Sequence, residues 1–248
     1  GSGGGEPLAV RYHRPVAADA AVRSAHIKSE PSGRWYVCFV VDFGENQVTP
    51  PGSRPHLLRS VALHPGLVHY LTADDGRVWD IPSAFATHSY ELAKAQRRMA
   101  KKVRGSYRYR QEKVIVARHY EAIRNLRSHF LHNLSREIVD SHDAIFVNSF
   151  DIRRMLSDED LNHLNLRVAD AAWGRFCFML AYKCQLAGKQ YAEVDAHDTA
   201  QICSSCGGLA HKTLSDREHH CPLCGFITPR GVNAAKNVRQ LAMEQMAG

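Results

Sequence analysis

The chain has 248 residues, 44% of them hydrophobic, with 32 Lys and Arg against 25 Asp and Glu, a formal charge of +7. That is enough chain to bury a full core, as one large domain or a main domain with small appendages. No run approaches the roughly 18 apolar residues that argue for a membrane span, and the basic excess favours a polyanionic partner such as nucleic acid.

Residues 1–7, GSGGGEP, read as a flexible linker or cloning remnant with no apolar signal core. The expectation is a soluble, intracellular protein. From Leu8 to about residue 43 the pattern is short strands: AVRYHRP and RSAHIKS alternate, and 34-RWYVCFVVD-42 is a β-branched and aromatic run after the Ser32-Gly33 turn. Residues 44–57, with Pro50, Pro51, Gly52 and Pro55, cannot continue a strand ladder and read as a linker. Three strand-like pieces follow, 59-RSVALH-64, 67-LVHYLTA-73 and 77-RVWDI-81, as an antiparallel meander with a hairpin signal at Asp75-Gly76.

From about Ser89 the period changes. Val116, Tyr120, Ile123, Leu126, Phe130, Leu134 and Ile138 recur every three or four residues and make one long helix face. Ahead of it, the basic residues around Gly105-Ser106 suggest two helices joined by a basic loop. A buried strand over 143-DAIFVNSF-150, a polar connection, a helix over about Asp170 to Leu186, a strand over 190-QYAEVDA-196 and a last helix opening near Asn233 complete the chain. This order is that of an α/β layer, a sheet with helices packed on it.

Four of the seven cysteines carry the strongest chemical signal. Cys203 and Cys206 form one C-x2-C pair, Cys221 and Cys224 another, with 14 residues between them. Two such pairs can close a thiolate tetrahedron around Zn2+, and a site filled by four thiolates leaves no open position, so the zinc is structural. Thiolate chemistry of this kind belongs to a reducing compartment. His219 and His220 are expected to be solvated or to face a phosphate, while Cys38, Cys177 and Cys184 are expected to be buried structural residues.

The segment 97–110 places Arg97, Arg98, Lys101, Lys102, Arg104, Arg108 and Arg110 around Tyr107 and Tyr109. Cations contact phosphates and tyrosines stack on bases or sugars, so the mixture suits nucleic acid. A merely solvated helix pair is the plainer alternative. His64, at the end of a predicted strand, is by itself a weak catalytic signal.

The order of these pieces, with 125-NLRSHFLHNLS-135, 199-TAQICSSCGG-208, 221-CPLCG-225 and 232-VNAAKNV-238, resembles the TnpB family of transposon-encoded RNA-guided nucleases, which are akin to type V CRISPR effectors. The resemblance implies an RNase H-like (RuvC) mixed sheet with flanking helices, an inserted four-cysteine zinc ribbon and an N-terminal small β module. Residues 8–43 correspond to the C-terminal part of a wedge-like domain, 58–198 to the RuvC-like domain, 199–229 to the zinc ribbon and 230–248 to the final RuvC-like helix. In the family three carboxylates hold two Mg2+ ions. Carried over residue by residue, those positions are His64, Asn148 and Gly231, none of them acidic.

The resemblance therefore implies a protein that is not an enzyme and needs no catalytic Mg2+. It would be a nuclease-inactive, RNA-guided DNA-binding protein that holds guide RNA and target DNA without cleavage. As a prokaryotic, cytoplasmic, nucleoid-associated protein it would act as a transcriptional repressor by excluding RNA polymerase. The alternative is an active RNA-guided DNA endonuclease with a rearranged metal site, for which Glu193 and Asp151 are the candidate replacements. A decayed remnant with no function of its own is the third reading.

Overall fold

The computed structural model describes residues 9–11, 21–42, 59–66, 68–149, 172–195, 199–213 and 216–247. The expected linkers at 1–7 and 44–57, the polar connection before the third helix and Asp151 lie outside these residues. The chain divides into two compact units, Gly1–Gln47 with Ala86–Arg124, and Val48–Phe85 with Asn125–Gly248.

In the first unit β1 (Ala21–Ser29) and β2 (Trp35–Asp42) form an antiparallel hairpin. Its turn closes at Gly33, whose φ of 83° is the left-handed conformation that a side chain disfavours. The unit also holds most of α1 (Ala84–Ala100) and the first half of α2 (Tyr107–Ser141). The hairpin is held to α2 by polar contacts. Tyr36 Oη donates to the buried Glu121, Arg118 Nε donates to the Ser32 carbonyl at 3.3 Å, and Arg124 reaches Glu30 at 3.1 Å. Burial works against charge on Glu121, but hydrogen bonds from Ser32 and Tyr36, with Arg34 and Arg124 nearby, outweigh it and hold the carboxyl below its ordinary range.

The second unit is a five-stranded mixed sheet of order β5-β4-β3-β6-β7. Its strands are β3 (Ser60–Pro65), β4 (Leu71–Ala73), β5 (Val78–Trp79), β6 (Ala144–Asn148) and β7 (Gln190–Val194). The β3-β4-β5 meander is antiparallel, and β3, β6 and β7 are parallel. The strand expected over 67–73 is shorter than its apolar content suggests. Gly66 N–H bonds the Tyr70 carbonyl, and strand pairing begins at Leu71.

Strand alternation sorts the core onto two faces. Val61, Leu63, Ile145 and Val147 pack with Leu131, Leu134 and Ile138 of α2 and with Trp173, Phe176 and Leu180 of α3 (Trp173–Leu186). On the other face Ala62, Ala144, Phe146 and Val194 pack with Val238 and Ala242 of α4 (Arg230–Ala247). Ala234 and Ala235 are fully buried, and their small side chains let α4 approach closely. Asp74 ion-pairs with Arg239 and accepts the Ala62 N–H at 3.0 Å, tying α4 to the sheet at one further point. The mixed α/β fold with flanking helices is thus as expected. Cys184 is buried and Cys177 half-buried, but Cys38 is exposed, because the β1–β2 hairpin has no covered face there.

Candidate functional site

The last segment before α4 folds around the cysteines. Each pair makes the same knuckle: Cys203 N–H donates to the Gly208 carbonyl and Gly207 N–H to the Cys203 carbonyl, while Cys221 N–H donates to Phe226 and Gly225 N–H to Cys221. Gly207 and Gly225, which directly follow the second cysteine of each pair, have φ of 74° and 72°. A glycine at that place lets the chain turn back so that both sulfurs point the same way.

All four Sγ atoms lie within 4.8 Å of one another, with Cys203–Cys224 at 3.7 Å and Cys206–Cys221 at 3.6 Å. A tetrahedron with Zn–S bonds of about 2.3 Å has edges of about 3.8 Å, so the cluster fits that ion. Backbone N–H groups of Cys224 and Leu223 aim at the Cys221 thiol and lower its pKa, while at Cys206 a backbone bond from Gly208 is outweighed by hydrogen bonds with Cys224 and Cys221 that raise it, so the four sulfurs share their protons unequally. Among the described residues this is the one group of three or more His, Cys, Asp or Glu side chains that could hold a metal ion.

His219 departs from expectation. On β8 (Glu218–His220), paired with β9 (Ile227–Pro229), it is fully buried, with its ring 6.3 Å from that of Phe226. Strand alternation turns it inward and leaves only His220 exposed, where it meets Glu218 at 3.1 Å. His219 is therefore neither solvated nor facing a phosphate.

Two asparagines fasten this segment to α4. Asn233 and Asn237 stand one turn apart, and each donates to both the Thr199 and the Ile202 carbonyls, at 2.7–3.2 Å. Asn233 also accepts the Ser204 N–H at 2.9 Å, so the first knuckle is positioned by a helix side chain. Nothing in the spacing of VNAAKNV assigns these amides; only the fold shows that they grip the cysteine segment.

The three strand-end positions do converge. Leu63 pairs with Val147, which leaves His64 and Asn148 one residue further along parallel strands, both on the α4 face by alternation. Gly231 joins them through Thr72, the register partner of His64: a Cβ at Gly231 would lie 2.8 Å from Thr72 Oγ1. His64 is half-buried with its Nδ1 enclosed, and burial, with Arg230 nearby, lowers its pKa to about 4, so the ring is neutral. Asn148 is buried and, among the described residues, its Oδ1 has no hydrogen-bond partner. An imidazole, an amide and a glycine do not match the carboxylate set that Mg2+ takes.

Glu193 lies on the opposite face. It accepts the Tyr191 hydroxyl at 2.7 Å, and its neighbours Ala192 and Val194 pack on the α4 side. Asp195, which sequence reasoning passed over, is exposed just beyond Val194, the register partner of Asn148.

The basic segment spans the junction of the first unit's helices. Arg97 and Arg98 end α1, Lys101, Lys102 and Arg104 lie in the connection, and Tyr107, Arg108, Tyr109 and Arg110 open α2. Arg98 pairs with Glu112 at 3.3 Å; Arg97, Lys101, Arg104, Tyr107, Arg108 and Arg110 are at least partly exposed.

Two family models match the chain: "Probable transposase" over residues 47–158 and "Cas12f1-like, TNB domain" over 173–238. A "Putative RNA-guided DNA endonuclease" of Streptomyces pristinaespiralis is 30% identical over 94% of this chain and 56% of that protein. InsQ of Escherichia coli K12, with the same description, is 26% identical over 92% of this chain and 59% of that protein. The chain thus spans less than two thirds of these relatives. Among solved structures, a Cas12f1-sgRNA-target DNA complex matches with a TM-score of 0.54 at 15% identity, over 86% of this chain and 54% of that one. That likeness concerns the fold.

These relatives correct one expectation. The chain was expected not to be an enzyme; proteins similar along nearly its whole length are named endonucleases, and replacement of three residues does not itself measure activity. The repressor role and the competition with RNA polymerase rested on that expectation and have no support of their own. Among the described residues no helix is long and apolar enough to cross a membrane.

Proposed function

On the premise of the TnpB/Cas12f-like family, which both family models and the relatives support, we propose that this chain is the RuvC-like and cysteine-knuckle part of an RNA-guided DNA-targeting protein of the endonuclease class. The observation that carries the reading is the collinear match of two family models, which between them cover all five strands of the mixed sheet, with the cysteine segment locked to α4. In such a system base pairing reads the DNA, and the protein contributes charge and shape. The cations of residues 97–110 supply the charge, and Cys203, Cys206, Cys221 and Cys224 hold a structural Zn2+ that keeps the knuckle segment in one conformation.

Cleavage of DNA belongs, in this reading, to a rearranged ligand set. His64, Asn148 and Gly231 supply no carboxylate and Glu193 faces away; Asp195, exposed directly after Val194, the register partner of Asn148, is the acid assigned to that set in this reading.

The test is to sequence RNA that copurifies with the protein, then to measure binding and Mg2+-dependent cutting of DNA complementary to its variable segment. A discrete structured RNA and binding only of the complementary duplex are expected, with any cutting lost in Asp195→Ala. Random RNA fragments, or duplex binding that ignores sequence, would overturn the proposal.

A further inference from the structure

Within the first unit, the connection after α1 and the first turns of α2 line an open cleft of about 640 Å³. Its volume falls in the roughly 300–1,000 Å³ range of small-ligand pockets. Arg108, Gln111, Glu112, Ile115 and Arg118 recur at three- and four-residue steps and so share one face of α2, Val114 stands beside them, and Lys102 reaches in from the connection.

Two chemistries meet there. Three cations face one carboxylate, and Glu112 is already engaged by Arg98 at 3.3 Å, so the cleft presents net positive charge. Arg118 is oriented by its bond to the Ser32 carbonyl, and among the described residues Lys102 and Arg108 have no ion-pair partner. Val114 and Ile115 are half-buried and add an aliphatic wall.

A surface that only tracks a duplex backbone needs cations along a ridge and has no use for a ligand-sized concavity with an apolar wall. An unpaired nucleotide needs both, because it carries an anionic phosphate and a base with apolar faces and polar edges. We infer that this cleft takes one unpaired nucleotide of the guide RNA. Lys102, Arg108 and Arg118 hold its phosphate, Val114 and Ile115 lie against its base, and the Gln111 amide bonds the base edge. The inference rests on the RNA-guided reading above and deepens it.

The experiment is photo-crosslinking of the full chain to a single-stranded RNA carrying 4-thiouridine, with the crosslinked peptides mapped by mass spectrometry. Crosslinks within residues 108–118 are expected. Gln111→Ala, at an exposed position, and Val114→Ala should each weaken that crosslink about twofold or more, as expected for loss of one contact to the base. Total RNA affinity should change less, because the phosphate contacts remain. Crosslinks confined to other peptides, with RNA still bound, would overturn the nucleotide cleft and leave RNA guidance standing. Protection of the cleft by free uridine monophosphate, with no crosslink from the strand, would also overturn it, by assigning the cleft to a free nucleotide. Failure to bind RNA at all would overturn both readings together.

Discussion

The cysteine knuckles and the strand ends of the second unit are two places where this family's resemblance implies metal, and they differ in how they are built. The knuckles assemble four like ligands from two short local turns, each set by a C-x2-C-G step. The strand-end face brings together His64, Asn148 and Gly231 from three distant segments, and they share position without sharing chemistry. A fold can therefore keep the geometry of a site while its ligands change, because backbone pairing and core packing, rather than the ligands, place the residues.

Metal removal breaks the first half of that contrast most severely. Structural zinc in small knuckles contributes about 10–16 kcal/mol of apparent binding free energy, much of it folding free energy. Cys221→Ser, or a strong chelator, should release one zinc per chain and abolish hydrogen-exchange protection over 199–229. Protection that persists without bound metal would show that the segment folds without zinc. The β3-β6-β7 core should keep its protection, since it makes no use of the ion.

That face depends instead on the sheet and α4. Asp74 is buried, ion-paired to Arg239 and bonded by the Ala62 N–H. Asp74→Ala leaves a partly buried guanidinium and an unsatisfied amide, which should cost about 3 kcal/mol in urea unfolding. A loss under about 1 kcal/mol would mean that the bonds from Arg239 to Ser60 and the apolar contacts hold α4 without the Asp74 ion pair.

His64 gives the same face a pH signature. Its pKa is lowered from 6.5 to about 4, chiefly by burial. The unfolded chain therefore binds a proton that the folded chain refuses, and stability falls as pH drops from 6.5 towards 4. Each pH unit in that window removes about 1.4 kcal/mol, up to about 3 kcal/mol near pH 4. Above pH 6.5 this residue contributes no slope. His64→Gln should flatten the profile by that amount, and an unchanged profile would show that the ring is protonated as readily in the folded state.

Much of this was legible in the sequence where the signal was local. The knuckles followed from spacing, the antiparallel meander and the buried strand before α3 from short apolar runs, and the junction of α1 and α2 from Gly105-Ser106. What was not legible depends on tertiary placement. His219 reads as a polar neighbour of a cysteine, but strand alternation in β8 buries it. Cys38 reads as a core residue, yet its hairpin leaves it exposed. Glu193 reads as a spare acid near the strand ends, and only the sheet shows which side it faces.

The asparagine pair is the intermediate case. Asn233 and Asn237 share both acceptors, so either alone still satisfies Thr199 and Ile202. Asn237→Ala should cost about 1 kcal/mol and Asn233→Ala somewhat more, because it also strands the Ser204 N–H. The double variant should lose more than the sum of the two, since only then do both carbonyls lose their donors. Strict additivity would show that water replaces the amides.

Restoring an acid at Gly231 tests the strand-end face with the smallest net effect, because three terms oppose one another. Gly231 lies in the first turn of α4, where replacing glycine stabilises a helix by about 0.5–1 kcal/mol and a carboxylate near the N-terminus adds about 0.3–1 kcal/mol. Against this, the new Cβ would meet Thr72 Oγ1 at 2.8 Å and its Cβ and Cγ2 at 3.2 Å, and such overpacking costs about 1–3 kcal/mol. The clash should win narrowly, so Gly231→Asp should destabilise by about 1 kcal/mol. Thr72→Ala removes two of the three crowding atoms, and combined with Gly231→Asp it should recover part of that loss, a coupling readable in a double-mutant cycle. A Gly231→Asp variant more stable than the parent, with no coupling to Thr72, would mean that β4 yields freely and that the close approach of α4 to Thr72 does not constrain the residue at position 231.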